Sequence, residues 1–315
     1  MATFIRVAEV WTPTADGTLL ELAGGLFDAA PRFGAISRSL CFGRAEGLPG
    51  HAWEEGHPLM LRQLEGSYFR RSTAARADGL TCAIALPIFV EERLTSVVVL
   101  LCGAGDEQVG AIELWHNDQR ISSDLTLADG YYGASPPALE ELTRDSWLPS
   151  GSGAPGLAWQ RDAAVFIDSL PESRHFLRTQ AAASAGIVRA LALPCTVRLP
   201  MRETWIVSLL SSGSTPIARR VESWLPNESG ATMRRAFGYC EALGRLDGEA
   251  CVSVAAETLG PVGLAYRTAA AQAVPETASH GALTPEEADA AGLHSVLTVP
   301  LIAGSLVSEV IALYF

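Results

Sequence analysis

The chain has 315 residues, of which 48% are hydrophobic and 18% are charged. This composition excludes a largely disordered protein and supplies apolar side chains for two or three domain-sized cores. The 35 acidic residues outnumber the 23 basic ones, which gives a formal net charge of −12. That balance, without any basic run, argues against nucleic acid or an anionic membrane surface as a partner.

The sequence shows no targeting or membrane segment. The longest strongly apolar run, 96–102, is far shorter than the ~20 residues of a membrane-spanning helix. Six cysteines are scattered without a Cys-x-x-Cys pair, so neither a disulfide scaffold nor a zinc site is indicated. We therefore expect a cytoplasmic protein with reduced, mostly buried thiols.

One pattern of landmarks occurs three times along the chain. It consists of Glu-x-Trp, a strand ending in glycine, a Pro-Gly loop followed by an aromatic residue, an alanine-rich stretch ending in glycine, and a strand reaching proline. The spacings between these landmarks agree to within one residue in all three places. This agreement predicts three tandem copies, which we call segments one (1–104), two (105–213) and three (214–315).

Each segment is predicted to be α+β. Short β-branched runs bounded by Gly, Pro, Asn and Asp indicate strands, and the alanine-rich stretches 69–77, 175–185 and 285–291 indicate helices. A glycine after each helix is suited to a left-handed stop. The proline in each later strand predicts a strand edge or a bulge. The order of elements predicts an antiparallel sheet with helices on one face. These glycines and prolines are Gly79, Gly186, Gly292, Pro87, Pro194 and Pro300.

The middle of segment one resembles the middle of bacterial GAF domains, a family of small-molecule sensor modules. Residues 47–58 read Gly-Leu-Pro-Gly-His-Ala-Trp-Glu-Glu-Gly-His-Pro, and Phe69-Arg70 and 83–87 follow in the order the family shows. Segment two matches through 155–159, Phe176-Leu-Arg178 and 190–194. Segment three matches less well, because Tyr266 replaces the tryptophan and the Phe-Arg pair is missing.

The resemblance implies a five- or six-stranded antiparallel sheet in each segment, with a ligand pocket between the sheet and the helices. Family members bind cyclic nucleotides, bilins, haem or other small metabolites, so the sequence identifies no particular cofactor. Unlike most family members, the segments are joined by short stretches without a heptad pattern, and the sequence contains no recognisable kinase, cyclase or DNA-binding output domain. The closing strand of one segment is thus able to pair with the opening strand of the next, and three self-contained sheets are the alternative.

The resemblance and the repeat together select seven candidate ligand-binding residues. An aromatic residue after each Pro-Gly loop is suited to stack on a planar ligand, the alternative being core packing. The two Phe-Arg pairs are candidates for an anionic ligand, the alternative being locally paired arginines. The seven are Trp53, Phe69, Arg70, Trp159, Phe176, Arg178 and Tyr266.

Other candidate chemistry is weaker. Glu9, Glu113 and Glu222 recur two residues before a tryptophan, which favours a structural contact over a ligand contact. His51 and His57 are not repeated, so we interpret them as loop residues rather than metal ligands. Cys82 and Cys102 raise the possibility of a methionine sulfoxide reductase of the GAF fold, although that branch's motif is absent.

We therefore expect a non-enzymatic sensory or regulatory protein that binds a small molecule and signals through a protein partner such as a signalling enzyme. The first alternative is an interaction scaffold whose cores are filled and carry no ligand. The second is a redox enzyme that uses Cys82 or Cys102. Ligand, partner and oligomeric state are not determined by the sequence.

Overall fold

The computed structural model describes residues 2–103, 105, 108–174, 176–200, 203–246, 253–275, 283 and 285–315. Antiparallel strands dominate it, and the described helices are short. None of these helices has the length and apolar character needed to cross a membrane.

Segment one forms a six-stranded sheet with three helices on one face. The sheet order is β3-β2-β1-β6-β5-β4. Its strands are β1 (Val7–Pro13), β2 (Leu20–Leu26), β3 (Cys41–Phe42), β4 (Leu59–Leu61), β5 (Leu80–Val90) and β6 (Arg93–Gly103). Its helices are α1 (Pro31–Ser37), α2 (Gly47–Glu55) and α3 (Ser72–Ala77).

Segment two forms a sheet with the corresponding order, β9-β8-β7-β12-β11-β10. Its strands are β7 (Val109–Asp118), β8 (Asp124–Gly133), β9 (Trp147–Pro149), β10 (Val165–Ile167), β11 (Ile187–Cys195) and β12 (Glu203–Ser212). Its helices are α4 (Pro137–Arg144), α5 (Gly153–Arg161) and α6 (Thr179–Ser184), with a 3₁₀ turn at Leu170–Glu172.

Segment three repeats this order as β15-β14-β13-β19-β18-β17, with β16 also paired to β14. Its strands are β13 (Arg220–Pro226), β14 (Thr232–Cys240), β15 (Gly244–Arg245), β16 (Ser253–Ala255), β17 (Gln272–Val274), β18 (Val296–Ala303) and β19 (Leu306–Tyr314). Its helices are α7 (Gly260–Thr268) and α8 (Pro285–Ala291), with a 3₁₀ turn at Ala256–Thr258.

The exchange of opening strands between segments is wrong. Strand β1 pairs with β6, β7 with β12, and β13 with β19, so every sheet closes within its own segment. The short junctions do not produce hairpins between segments, because each closing strand already has the opening strand of its own segment beside it.

The Pro-Gly loops are also corrected by the structure. Residues 49–50, 155–156 and 261–263 lie in the first turns of α2, α5 and α7. Proline is compatible with a first helical turn, because the N–H groups there have no helical partner. The glycines permit a close approach: a Cβ on Gly50 would lie 2.0 Å from the Gly43 carbonyl oxygen, and one on Gly263 would lie 1.7 Å from that of Ala256. The aromatic residue that follows each Pro-Gly segment therefore lies in a helix, and the packing of that helix fixes which residues its side chain contacts.

Each sheet is apolar on both faces. One face packs against its own helices, which gives three separate cores. The opposite faces of all three sheets pack together in a single central core, in which Ile84, Leu191 and Leu297 are fully buried. The equivalent strands β5, β11 and β18 contact one another there. The sheets are therefore arranged around a common axis.

The recurring prolines lie on this axis. Pro87, Pro194 and Pro300 line one cavity of about 20 Å³ among β5, β11 and β18. The short strand β4 covers β5 only at residues 83–85, so the strand has an open edge from residue 86 onwards. Three such edges meet at the axis, where an N–H group would have no partner. Proline supplies no N–H, which explains its recurrence and confirms the predicted edge position.

The three sheets contact one another in cyclic order. The loop that follows α5 or α7 contacts a side chain on the closing strand of the next segment. The Ala164 amide donates to Glu309 Oε2 at 2.8 Å, and the Ala271 amide donates to Ser96 Oγ at 3.0 Å. In the remaining interface the equivalent loop residue is Pro58, which has no N–H, and Trp205 occupies the acceptor's position.

Trp205 makes a stacking contact instead of a hydrogen bond with the neighbouring loop. Its ring is parallel to that of His57, with the centroids 4.6 Å apart. Residue types on the two sides of each interface are therefore matched. An amide meets an oxygen acceptor in two interfaces, and in the third, where Pro58 replaces the amide donor, the His57 ring meets the Trp205 ring. Segment two contacts segment three, three contacts one, and one contacts two, so the head-to-tail arrangement closes into a ring.

We predict that Pro58 and Trp205 are energetically coupled. Trp205→Ser removes the stacked ring and should destabilise the protein by about 3 kcal/mol. Adding Pro58→Ala to that variant restores an amide opposite a hydroxyl, as at Ala271 and Ser96, and should recover about 1 kcal/mol. Urea unfolding of the two single variants and the double variant measures this coupling, and strictly additive effects would contradict the matched interface.

Stability should also depend on pH through Glu309. Burial raises the pKa of this carboxyl above its ordinary value of 4.5, and hydrogen bonds from Ser223 and Ala164 lower it only in part. The folded state thus keeps a proton that the unfolded state releases, so the free energy of unfolding falls as pH rises above 4.5. Glu309→Gln should flatten this dependence in urea titrations between pH 4 and 7.5, and an unchanged slope would exclude Glu309 as its source.

Candidate functional site

The recurring Glu-x-Trp motif places a buried carboxylate in the helix-side core of every segment. Glu9, Glu113 and Glu222 are all fully buried. In each case the indole N–H of the following tryptophan donates to the carboxylate, at 3.0 to 3.1 Å. The motif therefore has the structural role that the sequence favoured, with both side chains on one sheet face.

In segment one the carboxylate is paired with Arg71, the residue that precedes α3. The guanidinium donates through one nitrogen to Glu9 Oε1 and through the other to Oε2, the latter at 2.9 Å. It also donates to the Ser37 hydroxyl at 2.5 Å and lies 4.4 Å from the centre of the Phe33 ring. A bidentate pair of this kind neutralises both charges without water, although the buried Arg71 Nε–H has no hydrogen-bond acceptor among the described residues.

Segment two repeats the arrangement with Arg178, which precedes α6. Its guanidinium donates to both oxygens of Glu113, at 2.5 and 2.9 Å, and to Thr143 Oγ1. Burial opposes the charge on Arg178, but the adjacent Glu113 carboxylate outweighs it, so the pKa of the guanidinium is raised. Arg178 is therefore a structural partner of Glu113 in this core.

Segment three keeps the carboxylate but takes its arginines from the sheet. Arg220 donates to Glu222 Oε1 at 2.5 Å, Arg235 donates to the same oxygen at 3.3 Å, and the Tyr314 hydroxyl donates to Oε2 at 3.0 Å. Burial and the nearby carboxylate raise the pKa of Tyr314. The position equivalent to Arg71 is Thr284, which lies outside the described residues.

The predicted aromatic residues are components of the helix-side cores. Trp53 is 5% exposed and Phe69 3%, and the Phe69 ring is parallel to that of Phe33 with centroids 6.2 Å apart. Phe176 is buried as well, whereas Trp159 and Tyr266 are partly buried against the cores of their own segments. The space in which the resemblance implied a ligand holds these rings and the buried ion pairs.

Arg70 has a different environment from the other candidates. Its side chain is 61% exposed and pairs with the exposed Glu46 at 2.8 Å. The functional equivalent of Arg178 is its neighbour Arg71, which the sequence reasoning missed. The signal was present, because Arg71 and Arg178 both stand two residues after a phenylalanine and eight before a stop glycine. Arg220 had no such signal, since it lies on a strand rather than before a helix.

The buried clusters offer little for catalysis. The Glu9 oxygens already accept three hydrogen bonds, and no part of the carboxylate is exposed, so it has neither access to substrate nor a free lone pair directed at one. In the described part of the chain, no group of three or more His, Cys, Asp or Glu side chains could hold a metal ion.

No family model matches the sequence, and neither does any curated protein. Several of the solved structures that match are GAF domains, two of them from phosphoenolpyruvate-protein phosphotransferases, and another is a domain of a protein assigned as a two-component sensor histidine kinase. The nlh2 GAF domain of A. aeolicus is 19% identical over 33% of this chain and 61% of its own, with a TM-score of 0.26.

Two further matches have similar values. A GAF domain/HD domain protein of Geobacter sulfurreducens is 15% identical over 34% of this chain and 65% of its own, with a TM-score of 0.27. The free methionine-R-sulfoxide reductase of Neisseria meningitidis, in complex with its substrate, is 17% identical over 34% and 53%, with a TM-score of 0.25. These three alignments thus span only about half to two thirds of the matched proteins. Because these identities and TM-scores are low, the GAF-like description is based on strand order and helix placement.

We predict a large difference between two adjacent arginines. Arg71→Ala leaves the Glu9 carboxylate buried without its partner and should cost about 3–5 kcal/mol. Arg70→Ala removes only an exposed ion pair and should cost less than about 1 kcal/mol. Chemical unfolding monitored by tryptophan fluorescence compares the two directly, and equal losses would show that the Glu9–Arg71 pair does not stabilise segment one.

Proposed function

We propose that the chain is a non-catalytic sensory or regulatory protein of three tandem GAF-like units, which acts through contacts with a protein partner such as a signalling enzyme. In this proposal the pocket position of each unit is filled by the protein's own side chains. The observation that carries it is the buried Glu–Trp pair with its arginine, present between sheet and helices in all three segments.

Repeated local irregularities support the three-unit reading. The second strand of every sheet contains one extra residue opposite the Glu-x-Trp motif, and it is an alanine each time: Ala23, Ala128 and Ala236. A bulge of this kind changes strand direction and is retained because it aims side chains. The carboxylate also stands opposite a glycine in every segment, as in the pair Glu9 and Gly25. Shared strand order with shared bulges is best explained by repetition of one unit.

Filled cores favour a role for the outer surface over a ligand beneath the helices. A planar ligand in segment one would have to displace the Phe33 and Phe69 rings or separate Arg71 from Glu9. Either change loses packing or leaves a buried charge without its partner. We therefore prefer the scaffold-like form of the regulatory function to the form in which these pockets bind a metabolite.

The thiols support a non-catalytic reading. Cys82 and Cys102 face each other across β5 and β6 in the central core, and both are fully buried. Burial raises the pKa of both thiols, and it raises the pKa of Cys195 to about 12. Thiolate is the reactive species, so these groups are poor nucleophiles near neutral pH.

Native and denaturing mass spectrometry of the protein purified from its own host test this proposal. We expect native masses of the chain alone or with a partner protein, and no small molecule whose binding depends on Trp53. A non-covalent small molecule that is lost in a folded Trp53→Ala variant would contradict the filled pocket.

The stability of the protein should depend on Trp53 as it does on a core residue. Trp53→Ala should destabilise the protein by about 3–5 kcal/mol, because it opens a cavity under α2. Trp147, which is 62% exposed on the edge strand β9, is the matched control, and Trp147→Ala should change stability by less than about 1 kcal/mol. Similar small losses for both would indicate that Trp53 packs loosely, as a ligand-stacking residue would without its ligand.

A further inference from the structure

A cavity of about 390 Å³ lies where segments one and three meet, outside the three helix-side cores. Residues from the start of the chain, from the loop after β2 and from the ends of β18 and β19 line it. A volume above 300 Å³ is in the range of small-molecule sites. The ring closes at this junction, so a ligand there would contact both the first and the last segment.

Two arginines line this cavity, and they occupy equivalent positions. Arg6 stands three residues before Glu9, and Arg219 stands three before Glu222. Arg6 donates to the carbonyl oxygens of Gly79 and Ala29, and Arg219 donates to that of Gly292. These carbonyls belong to the turn after β2 and to the glycines that end α3 and α8, so the backbone fixes both guanidinium groups.

Segment two has no counterpart of these arginines. The equivalent residue is Gly110, and a Cβ there would lie 2.6 Å from the Phe4 ring. The Phe4 side chain thus occupies the place that the arginine side chain takes in the other segments. Of the three equivalent positions, the two that carry an arginine line the same cavity at the junction of segments one and three.

The remaining lining combines little negative charge with an apolar wall. Asp28 is the only acidic side chain among the lining residues that the structure describes, and His294 adds a group that becomes cationic on protonation. The Phe315 carbonyl oxygen accepts from the amides of His294 and Ser295, so it is already engaged. Ile5, Ala8 and Leu26 supply buried apolar surface.

The geometry points to a binding site for a small organic carboxylate with a compact apolar body. The carboxylate would accept hydrogen bonds from Arg6 and Arg219, since a guanidinium has five N–H donors in a fork that matches a carboxylate. The apolar body would lie against Ile5, Ala8 and Leu26. The two guanidinium groups that line the cavity give it a locally positive potential, which favours an anion even though the whole chain has a net charge of −12. Binding would link segments one and three and stabilise the closed ring.

Isothermal titration calorimetry of the full chain with benzoate tests the proposal, with benzamide as the uncharged probe of the same shape. We expect saturable binding of benzoate, and binding of benzamide at least about tenfold weaker. Arg219→Gln should weaken benzoate binding by a similar factor. The matched control is Arg93→Gln, since Arg93 is exposed at the start of β6, and it should leave binding unchanged.

Two further variants keep the test decisive if Arg219→Gln disturbs folding. Arg6→Lys keeps the charge but loses the bidentate fork, so it should weaken benzoate binding while retaining a preference over benzamide. Thr3→Trp places a large ring at the cavity wall and should abolish binding without touching either arginine. No saturable benzoate binding, equal binding of benzamide, or binding unaffected by all three variants would overturn the proposal.

The same probe separates this site from the filled pockets proposed above. Benzoate bound at the junction should be insensitive to Trp53→Ala. Binding that is lost with Trp53→Ala and kept with Arg219→Gln would place the ligand beneath α2, which contradicts both the filled pocket and the junction site. Absence of benzoate binding would remove the junction site alone.

Discussion

The architecture depends on one constraint, which is that each sheet is apolar on both faces. Antiparallel sheets commonly leave one face in water, but β5, β6 and their counterparts are buried along nearly their whole length. Short helices cover one face, and the residues that the structure describes form no further layer for the other. The second apolar faces of the three sheets are buried by packing against one another, which creates the central core and fixes the common axis. The prolines on the axis and the matched residues at the interfaces follow from that arrangement.

The buried carboxylates have a different role from the apolar cores. Replacing a buried ion pair by apolar residues is often neutral or stabilising, so such a pair is weak evidence for stability by itself. Its value here lies in geometry, because Glu9 and Glu113 each hold an arginine from the start of a helix against the first strand. The carboxylate therefore sets how helix and sheet meet. It also fills the volume where a related fold would accept a ligand.

A closed ring within one chain changes where regulation can act. The interior of each segment is occupied, whereas the interfaces differ from one another: an amide and a hydroxyl, an amide and a carboxylate, and a stacked aromatic pair. These differences fix the cyclic order of the segments. The two equivalent arginines, Arg6 and Arg219, line a cavity at one junction, so a ligand bound there would couple the first and third segments, which are distant in sequence.

Much of this could be predicted from the sequence, because it depends on local rules. The landmark spacing predicts three segments, the glycines Gly79, Gly186 and Gly292 have the positive φ expected of left-handed stops, and the alternation of Glu9 and Trp11 placed both on one face. The sequence analysis placed the Pro-Gly segments in loops, because proline and glycine are common there. In the structure these segments are helical, and their glycines permit a close approach to a neighbouring backbone that no local pattern predicts. Which arginine meets each carboxylate, whether strands are exchanged between segments, and what covers the second sheet face were decided only by the tertiary structure. These depend on contacts between residues far apart in the chain, and no local periodicity records such contacts.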